Sequence, residues 1–114
     1  MQEKKIIHKG LAERWHQFSL EEQLANVGSD VERIIQWRNK GNPEYSYQAF
    51  ERALELIDFT IADPKNRRRL KEVVRARELL VDYFMYDNQY SSSDEFWQRY
   101  FLDFAYAAAL QRGK

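Results

Sequence analysis

Leu20, Leu24, Val27, Val31 and Ile34 recur at alternating steps of four and three, a periodicity that fits one apolar seam along a helix. Ser19 and Glu22 stand at capping-box spacing ahead of that seam, hydroxyl to backbone in one direction and carboxylate to backbone in the other. Gly41 and Pro43 mark its end, since glycine accepts the left-handed conformation past a helix and proline cannot continue one. Gly28 lies inside the same helix, where it costs about 1 kcal/mol relative to alanine. Its presence predicts close approach of a neighbouring helix, or a local bend.

The rest of the chain follows the same period. Leu11, Trp15 and Phe18 predict a short helix ahead of the seam. Asn42 and Pro43 can cap and open a third helix whose stripe is Tyr47, Phe50, Leu54, Ile57 and Ile61. Asp63-Pro64 ends it after a connection short enough to make the third and fourth helices antiparallel neighbours. The fourth buries Leu70, Val73, Val74, Leu80, Val81 and Phe84. After a polar loop from Asp87 to Ser93, Ser92 and Glu95 repeat the capping-box spacing and open a fifth helix running to about Arg112. No strand is expected. The fold expected is an all-α antiparallel bundle of four main helices plus a short N-terminal one, in a single domain over residues 1–114. Trp37, Gly41, Ala53 and Pro64 resemble one tetratricopeptide unit, but no second copy follows, and such arrays need about three repeats to bury a continuous core.

Eighteen basic residues balance eighteen acidic ones, so no global field steers the chain toward nucleic acid or membrane. The absence of cysteine excludes a disulfide framework, a thiolate nucleophile and a zinc–thiolate site. Residues 1–10 carry Lys4, Lys5 and Lys9 around two isoleucines, too polar for a signal peptide. No segment reaches the roughly 18 apolar residues of a membrane span. A cytoplasmic protein without cofactor or membrane partner is expected.

Chemistry is sparse. Glu13 and His16 have the spacing that di-iron bundles use, but a second such pair is missing and His8 falls outside the pattern. Glu55 and Asp58 resemble half of the acidic signature of all-α nucleotide pyrophosphohydrolases, which gather magnesium on two helices. The upstream pair of glutamates three apart has no counterpart, since Glu21 and Glu22 are adjacent and Asp30 is followed by Arg33. On helical angles Glu44, Glu51, Glu55 and Asp58 line one flank of the third helix, which suits a solvated or salt-bridged face. The helical RNases of abortive-infection and toxin systems place a histidine four to six residues after an arginine, whereas Arg14 and His16 are two apart. Ser91, Ser92 and Ser93 read as capping residues, because a serine nucleophile needs a general base in reach.

The charge pattern carries two anomalies. Residues 64–78 hold seven cations (Lys65, Arg67, Arg68, Arg69, Lys71, Arg75 and Arg77) against Glu72 and Glu78, while residues 79–104 are net acidic. Cations at a helix N-terminus oppose the macrodipole, so helix stability does not call for them. Arg67, Arg68, Arg69, Lys71 and Arg75 then read in two ways. They form a stripe for nucleic-acid phosphates, with steep salt dependence. Alternatively, Arg67, Lys71 and Arg75 pair across the turn with Asp58, Glu55 and Glu51, at little gain for each pair. Arg77 is the second anomaly. It points among Leu70, Val73, Leu80 and Phe84, and a buried charge needs a partner, with Asp58 or Glu55 expected.

The fifth helix is apolar over most of its circumference. Phe96, Trp97, Tyr100, Phe101, Phe104, Ala105, Ala107 and Ala108 cover a wide arc, which Leu102, Ala109 and Leu110 extend. Phe59 points away from the stripe of its own helix. Either the first helix covers this surface or a second subunit does, and a homo-oligomer or protein partner is expected. The phrases from His8 to Trp15, Ser19 to Ser29 and Ala49 to Asp58, with Asp87-Asn88, resemble a group of small bacterial proteins described as hypothetical. That resemblance implies a compact helical domain of bacterial origin and no particular activity. The chain is expected to act through protein contacts or self-association rather than catalysis, with nucleic-acid binding next and a divalent-metal phosphohydrolase using Glu51, Glu55 and Asp58 last.

Overall fold

The seam residues Leu20, Leu24, Val27, Val31 and Ile34 are all buried, and the helix that carries them is the axis of the molecule. The computed structural model describes residues 9–113, and their order is α1 (Lys9–Trp15), α2 (Leu20–Asn39), α3 (Pro43–Ala62), a 3₁₀ helix (Pro64–Arg69), α4 (Leu70–Met85) and α5 (Asp94–Arg112). Among the described residues every regular element is helical, which makes this an all-α bundle. α2 packs along both α3 and α5, α4 lies against α3, and α1 rests on α3. The buried apolar side chains form one cluster drawn from all five α-helices.

Local chemistry explains the boundaries. The capping box is complete: the Glu22 N–H donates to Ser19 Oγ and the Ser19 N–H donates to Glu22 Oε1. α2 stops at Gly41, whose φ of +79° suits glycine. Asn42 caps α3 through the Tyr45 N–H, with Pro43 in the first position. The second expected capping box differs by one residue. Ser93, not Ser92, accepts the Phe96 N–H, because Asn88 holds both the N–H and the carbonyl of Ser92.

Asp82 explains why the loop is tied in this way. Its buried carboxylate accepts the N–H groups of Gln89 and Tyr90, so the polar loop is organised around an acid on α4.

Two expectations about the faces, and one about a connection, need correcting. α3 buries Ala49, Phe50, Ala53, Leu56, Ile57 and Thr60, while Tyr47 is exposed and Leu54 and Ile61 only edge the core. The small side chains of Ala49 and Ala53 turn inward beside α2, which rotates the contact face away from the larger residues. Leu70 begins α4 at the surface, and Ala76 and Asp82 are buried instead. The connection from α3 to α4 is not a bare turn, since the 3₁₀ helix fills it, with Asp63 accepting the Lys65 N–H.

Gly28 marks the crossing of α2 and α5. A Cβ built there would lie 2.5 Å from Phe101 Cβ, a distance no real contact tolerates, so the glycine is what lets the two backbones approach. Helix propensity alone favours Gly28→Ala by about 1 kcal/mol. Overpacking opposes it by about 1 to 3 kcal/mol, and we expect the clash to win. Urea unfolding followed by circular dichroism measures the difference, and a Gly28→Ala protein as stable as wild type would show that the helices do not meet this closely.

Candidate functional site

α5 presents two faces. Trp97, Phe101 and Ala108 are buried and Phe104 edges the core, all within one helical arc. On the opposite arc Leu102, Tyr106 and Leu110 are 64%, 66% and 53% exposed, and Ala109 beside them is exposed as well. α1 does not cover them, because it packs on α3 instead. Next to Leu102 a shallow groove of about 230 Å³ runs between α2 and α5, floored by small residues that include Ala25, Gly28 and Ala105. Phe59 does not belong to this surface. It is half-buried on α3 against the core, a correction to its expected place at an interface.

The basic run is dispersed by the element that carries it. A 3₁₀ helix has three residues per turn, so Arg67, Arg68 and Arg69 point about 120° apart rather than along one stripe. Asn66 turns into the core. Arg69, three residues on, bonds Glu72, approaches Glu21 on α2 at 3.9 Å and lies over the Phe104 ring. Tyr100 donates to the same Glu72, and burial followed by the nearby carboxylate pushes its hydroxyl pKa up. Arg75 sits over the Tyr90 ring, 4.8 Å from its centroid, with Glu78 at 3.7 Å. Among the described residues Arg67, Arg68 and Lys71 form no ion pair, so the expected pairing of Arg67, Lys71 and Arg75 with Asp58, Glu55 and Glu51 does not occur.

Arg77 donates from Nε to Asp58 Oδ1 at 2.8 Å, across from α4 to α3. Both side chains are partly exposed, 36% and 51%, so this is a surface pair and not the buried one expected. The long stem of Arg77 carries the guanidinium to the surface, as long cationic side chains do. Glu55 is not its partner. With Asp58 turned to Arg77, Glu51, Glu55 and Asp58 do not converge, and no three His, Cys, Asp or Glu side chains among the described residues are placed to hold a metal ion. Glu13 and His16 are exposed, and His8 lies outside the described residues.

Three polar clusters were not evident from periodicity. At the first, Gln23 donates to the Trp15 carbonyl and to Asp63 Oδ2 while accepting from Asn66 Nδ2, and Trp15 Nε1 donates to Thr60 Oγ1 at 2.9 Å. Gln23, Thr60, Asp63 and Asn66 are all buried, and Lys65 closes the cluster on Asp63 and the His16 carbonyl. At the second, buried Asp30 meets Arg33 Nη1 at 2.6 Å and Arg52 Nε at 3.3 Å. Burial pushes its carboxyl pKa up, against the pull of both arginines. At the third, Asp94 joins α5 to Arg38 on α2 and accepts the Tyr83 hydroxyl of α4 at 2.7 Å.

Hydrogen bonding from Arg38 holds the Asp94 carboxyl below its ordinary value of 3.8; burial opposes this and Tyr83 assists it. A depressed folded-state value stabilises the fold above the ordinary value, and that contribution is lost as pH falls through the depressed one. Asp94→Asn is therefore expected to cost about 1 kcal/mol at neutral pH. Its difference from wild type should shrink steadily below pH 3.8 in urea unfolding across a pH series; a constant difference would show that charge is not involved. Compared with protein-family models, curated proteins and solved structures, the chain matches none, and the resemblance to small bacterial bundle proteins rests on the quoted phrases alone.

Proposed function

We propose that this chain is a non-enzymatic helical-bundle protein that works by self-association through the outer face of α5. The observation that supports this most is the exposed quartet Leu102, Tyr106, Ala109 and Leu110, which falls within an arc of about 100° on one helix. Exposed apolar surface gathered in this way is a mark of interaction sites, whereas single exposed leucines are ordinary.

Tyr106 stands midway between Leu102 and Leu110. Antiparallel pairing of two α5 helices about Tyr106 sets Leu102 of one copy against Leu110 of the other. That is the self-complementary pattern a two-fold interface requires. The groove between α2 and α5 beside Leu102 supplies a recess for the partner's side chains. The absence of cysteine agrees with a cytoplasmic location, and no helix among the described residues is long and apolar enough to cross a membrane.

A second reading, binding of nucleic acid, is supported by Arg67, Arg68 and Lys71, which are exposed and make no ion pair among the described residues. It ranks below the first because the 3₁₀ turn splays the arginines and Arg69 is engaged with Glu72.

Sedimentation velocity over a concentration series tests the first reading. Wild type should shift from monomer to dimer, and Leu102→Glu with Leu110→Glu should stay monomeric with unchanged helicity. A wild-type protein that remains monomeric at about 1 mM, where only an affinity weaker than about −4 kcal/mol would escape notice, overturns it. For the second reading, binding of a mixed single-stranded RNA and DNA pool should fall steeply with salt and vanish in Arg67→Glu with Arg68→Glu. Flat, negligible binding at low salt removes it.

A further inference from the structure

The exposed quartet on α5 is small for an interface. Stable protein contacts engage roughly 20 to 30 residues on each side, so the surface has to continue onto a neighbouring helix. Leu102 points to which one, because it also lines the groove of about 230 Å³ whose other wall is α2.

Glu32 stands on that wall, half-buried. Its two oxygens accept from the amides of Gln98 at 3.2 Å and Gln36 at 3.3 Å, both neutral donors, and among the described residues it meets no cation. Arg112 ends α5, exposed, and among the described residues it meets no carboxylate. Glu22 lines a recess with it, but its Oε1 is committed to the Ser19 N–H in the capping box, and Glu21 accepts from Gln111 instead. The unmatched acid and the unmatched cation cannot meet within one copy. Gln98, which holds Glu32, lies fourteen residues before Arg112, about 21 Å along the helix.

Two copies remove that separation. The antiparallel pairing that sets Leu102 against Leu110 also sets Arg112 of one copy against Tyr100 of the other, within about 3 Å of rise of Gln98. Counted at 100° per residue, Gln98 and Arg112 stand on the same side of the line through Tyr106, and a two-fold pairing brings that side of one copy against the same side of the other. Ala105 and Ala109 lie between them on this flank, too short to hold the helices apart.

We propose that Glu32 of each copy pairs with Arg112 of the other, so that the interface spans α2 as well as α5 and two symmetry-related ion pairs fix its register. The pairing rests on self-association through α5 and adds to it.

Sedimentation velocity of the full chain at low salt tests it, comparing wild type with Glu32→Arg and Arg112→Glu, each with its helicity confirmed. Either change sets like charges together twice in the dimer, and the dimer Kd should rise about tenfold or more. An equimolar mixture of the two variants should return to wild-type affinity, because both contacts of the mixed dimer then join opposite charges. A variant that had merely lost its fold could not be rescued by mixing. If wild type dimerises and either variant dimerises as tightly, the pairing is overturned while self-association stands. A mixture no tighter than its components has the same meaning. A wild type still monomeric at about 1 mM removes both.

Discussion

Gln23 has no contact with solvent, and both ends of its amide are committed to the protein. The nitrogen holds the last residue of α1 and the acid that ends α3. The oxygen holds Asn66 in the 3₁₀ helix, which itself reaches back to the Thr60 carbonyl. An apolar side chain in this position would fill space but could not choose between nearby registers of these segments. A buried amide is satisfied only in one arrangement, because each unmet bond there costs on the order of 1 to 3 kcal/mol. The placement of α1 and of the turn after α3 depends on that choice. So does the position of the basic residues that the turn carries.

Much of this architecture could be read from the residues in order. The seam of α2, its capping box, the stop at Gly41 and the role of Gly28 all follow from backbone chemistry over a few positions. What escaped were features decided by a neighbour distant in sequence. Gln23, Thr60, Asp63 and Asn66 look like surface residues in any hydropathy pattern, and only their mutual hydrogen bonds make them core. The face of α3 turned because alanines let α2 come close, and alanine carries almost no signal of its own. For Arg77 the residue types pointed to Asp58 as partner, but helical angles alone placed it deeper than its long stem allows. Of the candidate sites, the exposed residues of α5 were legible from composition. The meeting of buried Asp30 with Arg52 was not, because the two come together only when α2 folds back on α3.

The uneven distribution of charge along the chain is largely structural bookkeeping at the ends of elements. Three of the five acids of residues 79–104 sit where backbone N–H groups need acceptors or where a helix N-terminus favours negative charge. Asp82 holds the loop, and Asp94 and Glu95 open α5. The cations of residues 65–69 are carried by the 3₁₀ turn rather than by α4, whose own first turn contains Glu72. The apparent conflict with the helix dipole largely disappears once the turn is seen. What is left over is small: Arg67, Arg68 and Lys71, which are exposed and make no ion pair among the described residues.

The way Asp82 gathers the loop before α5 also bears on how the molecule meets a protease. Residues 87–93 are polar, mostly exposed and free of regular structure, which ordinarily marks the first place a chain is cut. Cleavage requires several consecutive residues to open into an extended strand inside the enzyme. Here the backbone of Gln89, Tyr90 and Ser92 is tied to side chains on either side, and Asn88 and Ser91 are held in left-handed conformations incompatible with such a strand. A segment that looks like a linker is thereby a clasp, and α4 and α5 should survive digestion as one connected piece.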